Sequence, residues 1–399
     1  MIRLLSLTVA AFAIGISEFV LVGLLPTIAN DTGVTLGTAG LLVTFYALAI
    51  TLLSPLLTSW LSRYDSRPAL VALMVVFAAG NMLVAAAGGF TGLLVGRVLA
   101  GAAHGTVFAL GAPAAAALVP KEKAARAISL MFLGLTVAMV IGVPLGTIIG
   151  NALGWRTTFV IVAALGAVAA LAIALLIPST RTGESVSLRE QIALLTDRPV
   201  AMTYLVTGLG FGATFAVFTY LGPLLTGTAG YTASGVTLAL FLFGATTVIG
   251  NLTGGALADR IGTVPVIRIA LTGLIAAFVG ILLTSSSTVG IAIVIAAWGV
   301  FAFLISPPVQ THAVALASHR GPGAEKAASG LNIAAFNAGI ALASWAGGTL
   351  VETLGVTSTP WAALALAVLA LAASLGITRP ARHEQTIDVR LPRARPRPH

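Results

Sequence analysis

The stretch AIGISEFVLVGLLP, residues 13–26, is apolar almost throughout yet carries a carboxylate at Glu18. In a soluble protein such a run would be core, but the composition of the chain points elsewhere. Hydrophobic residues make up 58% of the 399 residues and charged ones 8%, against about 25% charged in an ordinary soluble domain. So small a polar share cannot cover a globule of this size, and the medium around most of the chain is lipid. The run is therefore read as part of a membrane span, and Glu18 as an acid inside it.

Outward from residues 13–26 the pattern repeats. Crossing about 30 Å of hydrocarbon takes about 20 residues of helix. Runs of that kind are expected at 5–26, 38–60, 69–89, 91–118, 128–150, 156–177, 199–222, 232–257, 265–285, 288–315, 327–350 and 358–377. Period-two alternation is absent, which argues against a barrel, and the fold class is an all-α membrane protein of twelve transmembrane helices. The first run is too long for a signal peptide and lacks a small-residue cleavage site. There is no cysteine, hence no disulfide framework, thiolate metal site or thiol nucleophile.

The net charge of +9 is spread in a way that suits a membrane face better than nucleic acid. With the N-terminus inside, Arg3, Arg63, Arg67, Lys121, Lys123, Arg126, Arg181, Arg189, Arg198, Arg260, Arg268, Arg320, Lys326 and the arginines at 379, 382, 390, 393, 395 and 397 all fall at or near the cytoplasm. Arg156 lies at an outer loop and Arg97 within a span. By the positive-inside rule both termini are expected to be cytoplasmic.

The longest internal connection, STRTGESVSLREQIALLTDRP at 179–199, divides six spans from six, and its SVSLREQIALL portion reads as an amphipathic helix on the inner membrane surface. The halves echo each other at a spacing near 200: SLMFLG at Ser129 with SGLNIA at Ser329, and GNALG at Gly150–Gly154 with GTLVETLG ending at Gly355. The expected organisation is a six-helix bundle over 1–178, a central cytoplasmic loop over 179–198, a second six-helix bundle over 199–378 and a disordered basic tail over 379–399. Gly-rich stretches such as GRVLAGAAHG (96–105) and VIGVPLGTIIG (140–150) let helices approach closely, and Pro144 allows a bend.

Chemistry has to come from the residues that violate hydropathy: Glu18, Asn81, Arg97, His104, Gln310, His312, Asn332 and Asn337. A lone charge in a span pairs, neutralises or faces water. Arg97 and His104 are seven residues apart, nearly two turns, so they share a helix face, and Glu18 falls between them in depth. A Glu18, His104 and Arg97 cluster around an internal cavity would give proton coupling, because alternating water access can switch whether the acid holds its proton. The alternatives stay open: Glu18 as a helix–helix hydrogen-bond partner, His104 as packing, Arg97 as a fixed strut or snorkelling charge. Asn332 and Asn337 are about 140° apart and need not share a role. Gln310 and His312 follow Pro307 and Pro308 near the inner end, where His312 is expected to be solvated.

No HExxH, Walker A or dinucleotide glycine fingerprint occurs, and the histidines are too dispersed for a metal site, so no enzyme, cofactor or metal is expected.

ISEFVLVGLLPTIA (16–29), GRVLAGAAHG (96–105), GVPLGTIIGNALGWRTTF (142–159) and GGALADRIG (254–262) together resemble the major facilitator superfamily, and within it the drug:proton antiporter-1 group of bacterial sugar-, arabinose- and drug-efflux permeases. The resemblance implies two six-helix bundles working by alternating access, and export of a drug-like molecule, sugar or nucleoside in exchange for protons, from the bacterial plasma (inner) membrane. It implies a small-molecule substrate, protons and lipid as partners, and function as a monomer. It makes Glu18, Arg97 and His104 the proton-coupling candidates. It places Tyr46, Phe211, Phe215, Gln310, Asn332 and Asn337 as candidates along the substrate cavity. Gly142, Pro144 and Gly146 match the antiporter signature, and Asp259, Arg260 and Gly262 the second-half loop motif, where Asp259 would latch one conformation. The first-half loop LSRYDSRPAL (61–70) departs from the motif: Arg63 and Ser66 stand where an acid and a glycine are usual, with Asp65 as a displaced substitute. Proton-coupled uptake on the same fold is the alternative, and a non-transporting sensor a more distant one.

Overall fold

The computed structural model describes residues 2–120, 123–179 and 188–377. Among these residues there are helices and no strand, and 12 helices are long and apolar enough to cross a membrane. The basic tail, Lys121 and Arg181 lie outside the described residues. The end at which residue 2 and residue 374 both lie is called proximal here, and the opposite end distal.

The first span is α1 (Ile2–Phe19), interrupted at Val20 and continued distally by α2 (Leu21–Thr32). Then follow α3 (Leu36–Leu61), α4 (Ser66–Ala86) and α5 (Phe90–Ala117). The fifth span is α6 (Ala124–Val137), a π turn at Ala138–Gly142 and α7 (Val143–Leu153), and the sixth is α8 (Trp155–Leu176). After the short α9 (Leu188–Leu195), the second half begins with α10 (Arg198–Phe218) and its distal continuation α11 (Leu221–Thr228). It goes on through α12 (Ala233–Ile261), α13 (Thr263–Thr284), the broken span α14 (Thr288–Leu304) and α15 (Ser306–Ala317), α16 (Pro322–Leu354) and α17 (Thr359–Ser374).

The breaks have local causes. A proline inside a helix lacks the N–H and crowds the carbonyl four residues back. Pro223 acts in this way on Thr219, where α10 gives way to α11, and Pro308 on Leu304, where α14 ends. In the fifth span Pro144 is separated by one residue from the π turn, whose wider ladder takes up the misfit. Glycine permits the tightest crossings: a Cβ on Gly339 of α16 would collide with the backbone of Gly208 on α10, and one on Gly96 of α5 with that of Gly80 on α4.

The halves meet where α3 runs along α16, where α12 packs on the π turn and α7, and where α2 packs on α11. The distal end is sealed. Tyr220 donates its hydroxyl to the Ser344 carbonyl at 2.8 Å and fills the space beside Gly40, while Glu352 of α16 accepts from the Thr38 backbone N–H of α3 at 3.1 Å and from the Thr35 hydroxyl. The same helix is open lower down: Gly330 is exposed, and a Cβ there would meet nothing within 4 Å.

The amphipathic helix expected in the central connection forms as α9, with Ile192 and Leu195 exposed on one side. Leu194 is buried with Val200, Tyr204, Ala313, Ala317 and Ala327, so α9 covers the proximal ends of α10, α15 and α16. The Arg320–Asp197 ion pair and the Arg320 bond to the Ala193 carbonyl at 3.4 Å fasten the helix there.

Candidate functional site

Arg97 sits near the middle of the bundle, 1% exposed. A buried guanidinium needs acceptors for its donors, and α1 and α3 supply them for Nη1 and Nε, while Nη2 has none. Arg97 Nη1 donates to the Ser17 carbonyl at 2.7 Å and Oγ at 3.3 Å, and Nε donates to the Leu42 carbonyl at 3.2 Å. The plane of the group lies over the Tyr46 ring, 3.8 Å from its centroid. Ser17 donates onward to Asn81 Oδ1 at 2.8 Å, and Asn81 Nδ2 to the Phe77 carbonyl at 2.9 Å. Arg97 thus ties α1, α3 and α5 together, and α4 through Ser17.

His104, 5% exposed, joins this assembly through Tyr46, whose hydroxyl shares a hydrogen bond of 3.1 Å with Nδ1. Phe108 packs on the other side of the imidazole, with ring centroids 5.2 Å apart. Arg97 and His104 are therefore brought together, with Tyr46 between them.

Glu18 stands next to this network without joining it. Its carboxylate forms no hydrogen bond or ion pair with the described residues, although Arg97 is close enough to act on it through space. The residue keeps 8% of its surface. That surface does not face lipid, because Ala11, Ile14, Leu21 and Leu25, which share its helix face, are all 0% exposed. Behind the same turn of α1 pack Gly142 and Gly146, where Cβ atoms would meet Ile16 Cγ1 at 2.5 Å and Val20 Cγ2 at 2.8 Å. Pro144 is buried between these glycines.

The second half presents a different wall. Phe211 and Phe215 both reach Phe336 of α16, with ring centroids 4.1 and 6.2 Å apart, and Phe215 meets Phe19 of α1 at 6.1 Å. Phe218 continues the wall to Phe243 and Trp298. Below it, Thr207 donates to Asn332 Oδ1 at 2.8 Å, Asn332 Nδ2 to Gln310 Oε1 at 2.7 Å, and Gln310 Nε2 to Ser329 Oγ at 2.6 Å. Asn332 and Gln310 thus form one chain across α10, α15 and α16. Asn337 is separate: its Nδ2 donates to the Ile333 carbonyl at 3.0 Å and its buried Oδ1 has no partner.

His312 differs from expectation. It is buried rather than solvated, with Nδ1 bonded to the Thr263 hydroxyl at 2.9 Å and Nε2 buried without a partner. The turn at Gly262, with φ near +90°, starts α13 directly against α15 and covers the imidazole. Asp259 and Arg260 are exposed on the last turn of α12, and Asp259 has no partner among the described residues. Asp65 accepts from Ser179 Oγ at 2.8 Å. Two clefts of about 470 and 420 Å³ open at the distal rim, beside Tyr231 and Trp361, and neither contains a candidate residue. Among the described residues no group of His, Asp and Glu could hold a metal ion.

Sequence reasoning missed Ser17, Thr207, Phe336 and Glu352. Phe336 and Asn337 are adjacent in sequence, which was the one available signal for an aromatic surface beside the amide.

Residues 7–324 match the family model described as Major Facilitator Superfamily. The chain belongs to that superfamily. Within the Major Facilitator Superfamily it is 38% identical over 371 residues, 92% of this chain and 94% of the relative, to the inner membrane transport protein YdhP of Escherichia coli (strain K12). It is 34% identical over 370 residues, 92% of this chain and 93% of the relative, to a chloramphenicol resistance protein of Streptomyces lividans. The superfamily fold is also seen in a solved bacterial homologue of the human lysosomal transporter Spinster, with TM-score 0.74, 19% identity and coverage of 93% of this chain and 95% of that one. The chain is thus a multi-pass membrane protein of a transporter family.

Proposed function

We propose that the protein exports a small, drug-like organic molecule in exchange for protons, with residues 1–178 and 199–378 rocking as two bundles. The observation that carries this reading is Glu18: an acid within a span, on a wholly interior helix face, with residual exposure and no bonded partner. An acid locked in an ion pair has no freedom to exchange its proton, whereas a partnerless acid in a crevice responds to which side admits water. Arg97, held by backbone carbonyls, supplies a fixed positive charge beside it, and His104 adjusts the same region through Tyr46. Gly142, Pro144 and Gly146 set the turn of α1 that carries the acid.

The proximal end is the cytoplasmic one on this reading, since Arg63, Arg67, Arg126, Arg198, Arg260 and Arg320 gather there. The distal seal, with α16 exposed at Gly330 toward the other end, supports loading from the cytoplasm, the side from which an exporter loads. The kinship to an inner membrane transport protein and to a chloramphenicol resistance protein supports the inner membrane as the location and efflux as the direction.

The test is flux. In proteoliposomes with an imposed proton gradient, wild-type protein is expected to accumulate a substrate such as chloramphenicol, and Glu18→Gln to lose gradient-driven accumulation while retaining its fold. Full coupled transport by Glu18→Gln rules the proposal out.

A further inference from the structure

Residues 330, 337 and 344 of α16 are seven apart, close to two turns each, and so follow one face of the helix from the proximal to the distal side. That face changes character along its length. Gly330 is exposed with open space around it, Asn337 is buried, and Ser344 is sealed beneath Tyr220 and Thr219, bonded to each at 2.8 Å. Asn337 therefore stands where the proximal opening ends and the distal seal begins.

Its depth and neighbours are also fixed. The Thr51 hydroxyl donates to the Ala334 carbonyl at 3.2 Å, and Gly37 lies against Gly348. This antiparallel register sets Asn337 opposite the α3 turn around Thr44 and Leu48, at the seam between the halves. The adjacent residue, Phe336, carries the aromatic wall of Phe211 and Phe215.

Asn337 Oδ1 has no hydrogen-bond donor although the side chain is 1% exposed. A buried unpaired carbonyl oxygen costs about 1–3 kcal/mol, and an apolar residue of the same shape would avoid that cost. Thr207, Asn332, Gln310 and Ser329, one to two turns away, are all matched to one another, so the orphan acceptor is local to the seam.

We infer that Asn337 Oδ1 accepts a hydrogen bond from the transported molecule, and that this molecule is a flat apolar compound, laid against Phe336, Phe211 and Phe215, that bears a hydroxyl. The inference rests on the export reading for the existence of a substrate. Within it, Asn337 selects for the donor and the phenylalanines for the ring. A site built around an acceptor discriminates against an analogue whose donor is blocked, because the acceptor is then left unpaired again.

Binding to purified protein in detergent tests this without any proton gradient, so its outcome is separate from that of the Glu18→Gln flux experiment. The probes are chloramphenicol, which has a nitrophenyl ring, two hydroxyls and an amide N–H, and its diacetyl ester, in which both hydroxyls are blocked. A panel of phenols with their methyl ethers extends the comparison. Wild-type protein is expected to prefer the donor-bearing member of at least one pair by about tenfold, the value of one neutral hydrogen bond. Asn337→Leu is expected to bind both members equally, and to unfold at the same or a higher temperature than wild type because the orphan oxygen is gone. Asn337→Gln keeps the acceptor and is expected to recover part of the preference. Three results each overturn the inference: saturable binding by no member of the panel, equal binding of paired members by wild type, or an undiminished preference in Asn337→Leu.

Discussion

In the first half, Arg97 of α5 meets Ser17 of α1 and Tyr46 of α3, and reaches Asn81 of α4 through Ser17. In the second half, Trp298 of α14 meets Phe218 of α10, Phe243 of α12 and Phe278 of α13, with ring centroids 6.1, 4.7 and 5.9 Å apart. Two of the surrounding positions correspond. Tyr46 is 11 residues beyond the cap Thr35 of α3, and Phe243 is 11 beyond the cap Thr232 of α12. Asn81 is 16 beyond the cap Asp65 of α4, and Phe278 is 16 beyond the cap Gly262 of α13. One skeleton thus carries a hydrogen-bonded node in one half and a packed aromatic node in the other. Each leaves one buried donor nitrogen unmatched, Arg97 Nη2 and Trp298 Nε1. The difference shows how two halves of one architecture can divide labour: the node beside Glu18 is built from charge and hydrogen bonds, while the node around Trp298 is built from packed rings.

Breaking the aromatic node should have the largest effect. Trp298→Ala removes a fully buried indole and is expected to cost about 3–5 kcal/mol, read as a fall in unfolding temperature. The surviving protein should keep the wild-type pH profile of transport. A changed profile would mean that the second half shares the proton chemistry.

Arg97→Lys tests the other node. An ammonium cannot reproduce the planar fork that serves the Ser17 and Leu42 carbonyls while lying on Tyr46, and a loss of about 2 kcal/mol is expected. Here the pH profile should move, because the fixed charge beside Glu18 is displaced. An unmoved profile would reduce Arg97 to a strut.

A smaller effect, about 1–3 kcal/mol against the distally sealed state, is expected from Gly40→Ala, whose methyl group would displace the Tyr220 hydroxyl. The chain has no cysteine, so a Ser344→Cys probe can be read against no background. Labelling of that probe by an impermeant maleimide should rise when Gly40→Ala is added. Unchanged labelling would show that Tyr220 gives way without opening the seal.

The smallest effect concerns Asp31 at the distal end of α2, for which α11 has no acidic counterpart. Hydrogen bonds from Arg156 and then Trp155 hold its carboxyl below the ordinary value of 3.8. A lowered folded value means that the stabilisation is complete above the unfolded value and is lost as pH falls through the folded one. The unfolding temperature should therefore decline below about pH 4 more steeply in wild type than in Asp31→Asn. Parallel curves would show the contact to be too solvated to matter.

The twelve spans were legible because lipid tolerates no substitute for a long apolar helix. Glu18, Arg97 and His104 were legible for the same reason, as departures from that rule. What the sequence did not carry was partnership. Arg97 is served by the carbonyls of Ser17 and Leu42, and a backbone acceptor leaves no trace in residue type. His312 looked like an interface residue because its distance along the chain from Pro308 is visible, whereas the turn at Gly262 that covers it comes from another helix. The aromatic node was readable in principle, from the equal distances of Tyr46 and Phe243 to their capping threonines.

The contact between Glu352 and the start of α3 bears on what separation of the halves would leave behind. The Thr38 amide has two acceptors, Glu352 from across the seam and Thr35 from its own helix, each at 3.1 Å. When Glu352 departs, Thr35 stays. The first turn of α3 then keeps its wrapping without help from water, so the mouth can part with its rim intact and close again without a helix end having to rewind.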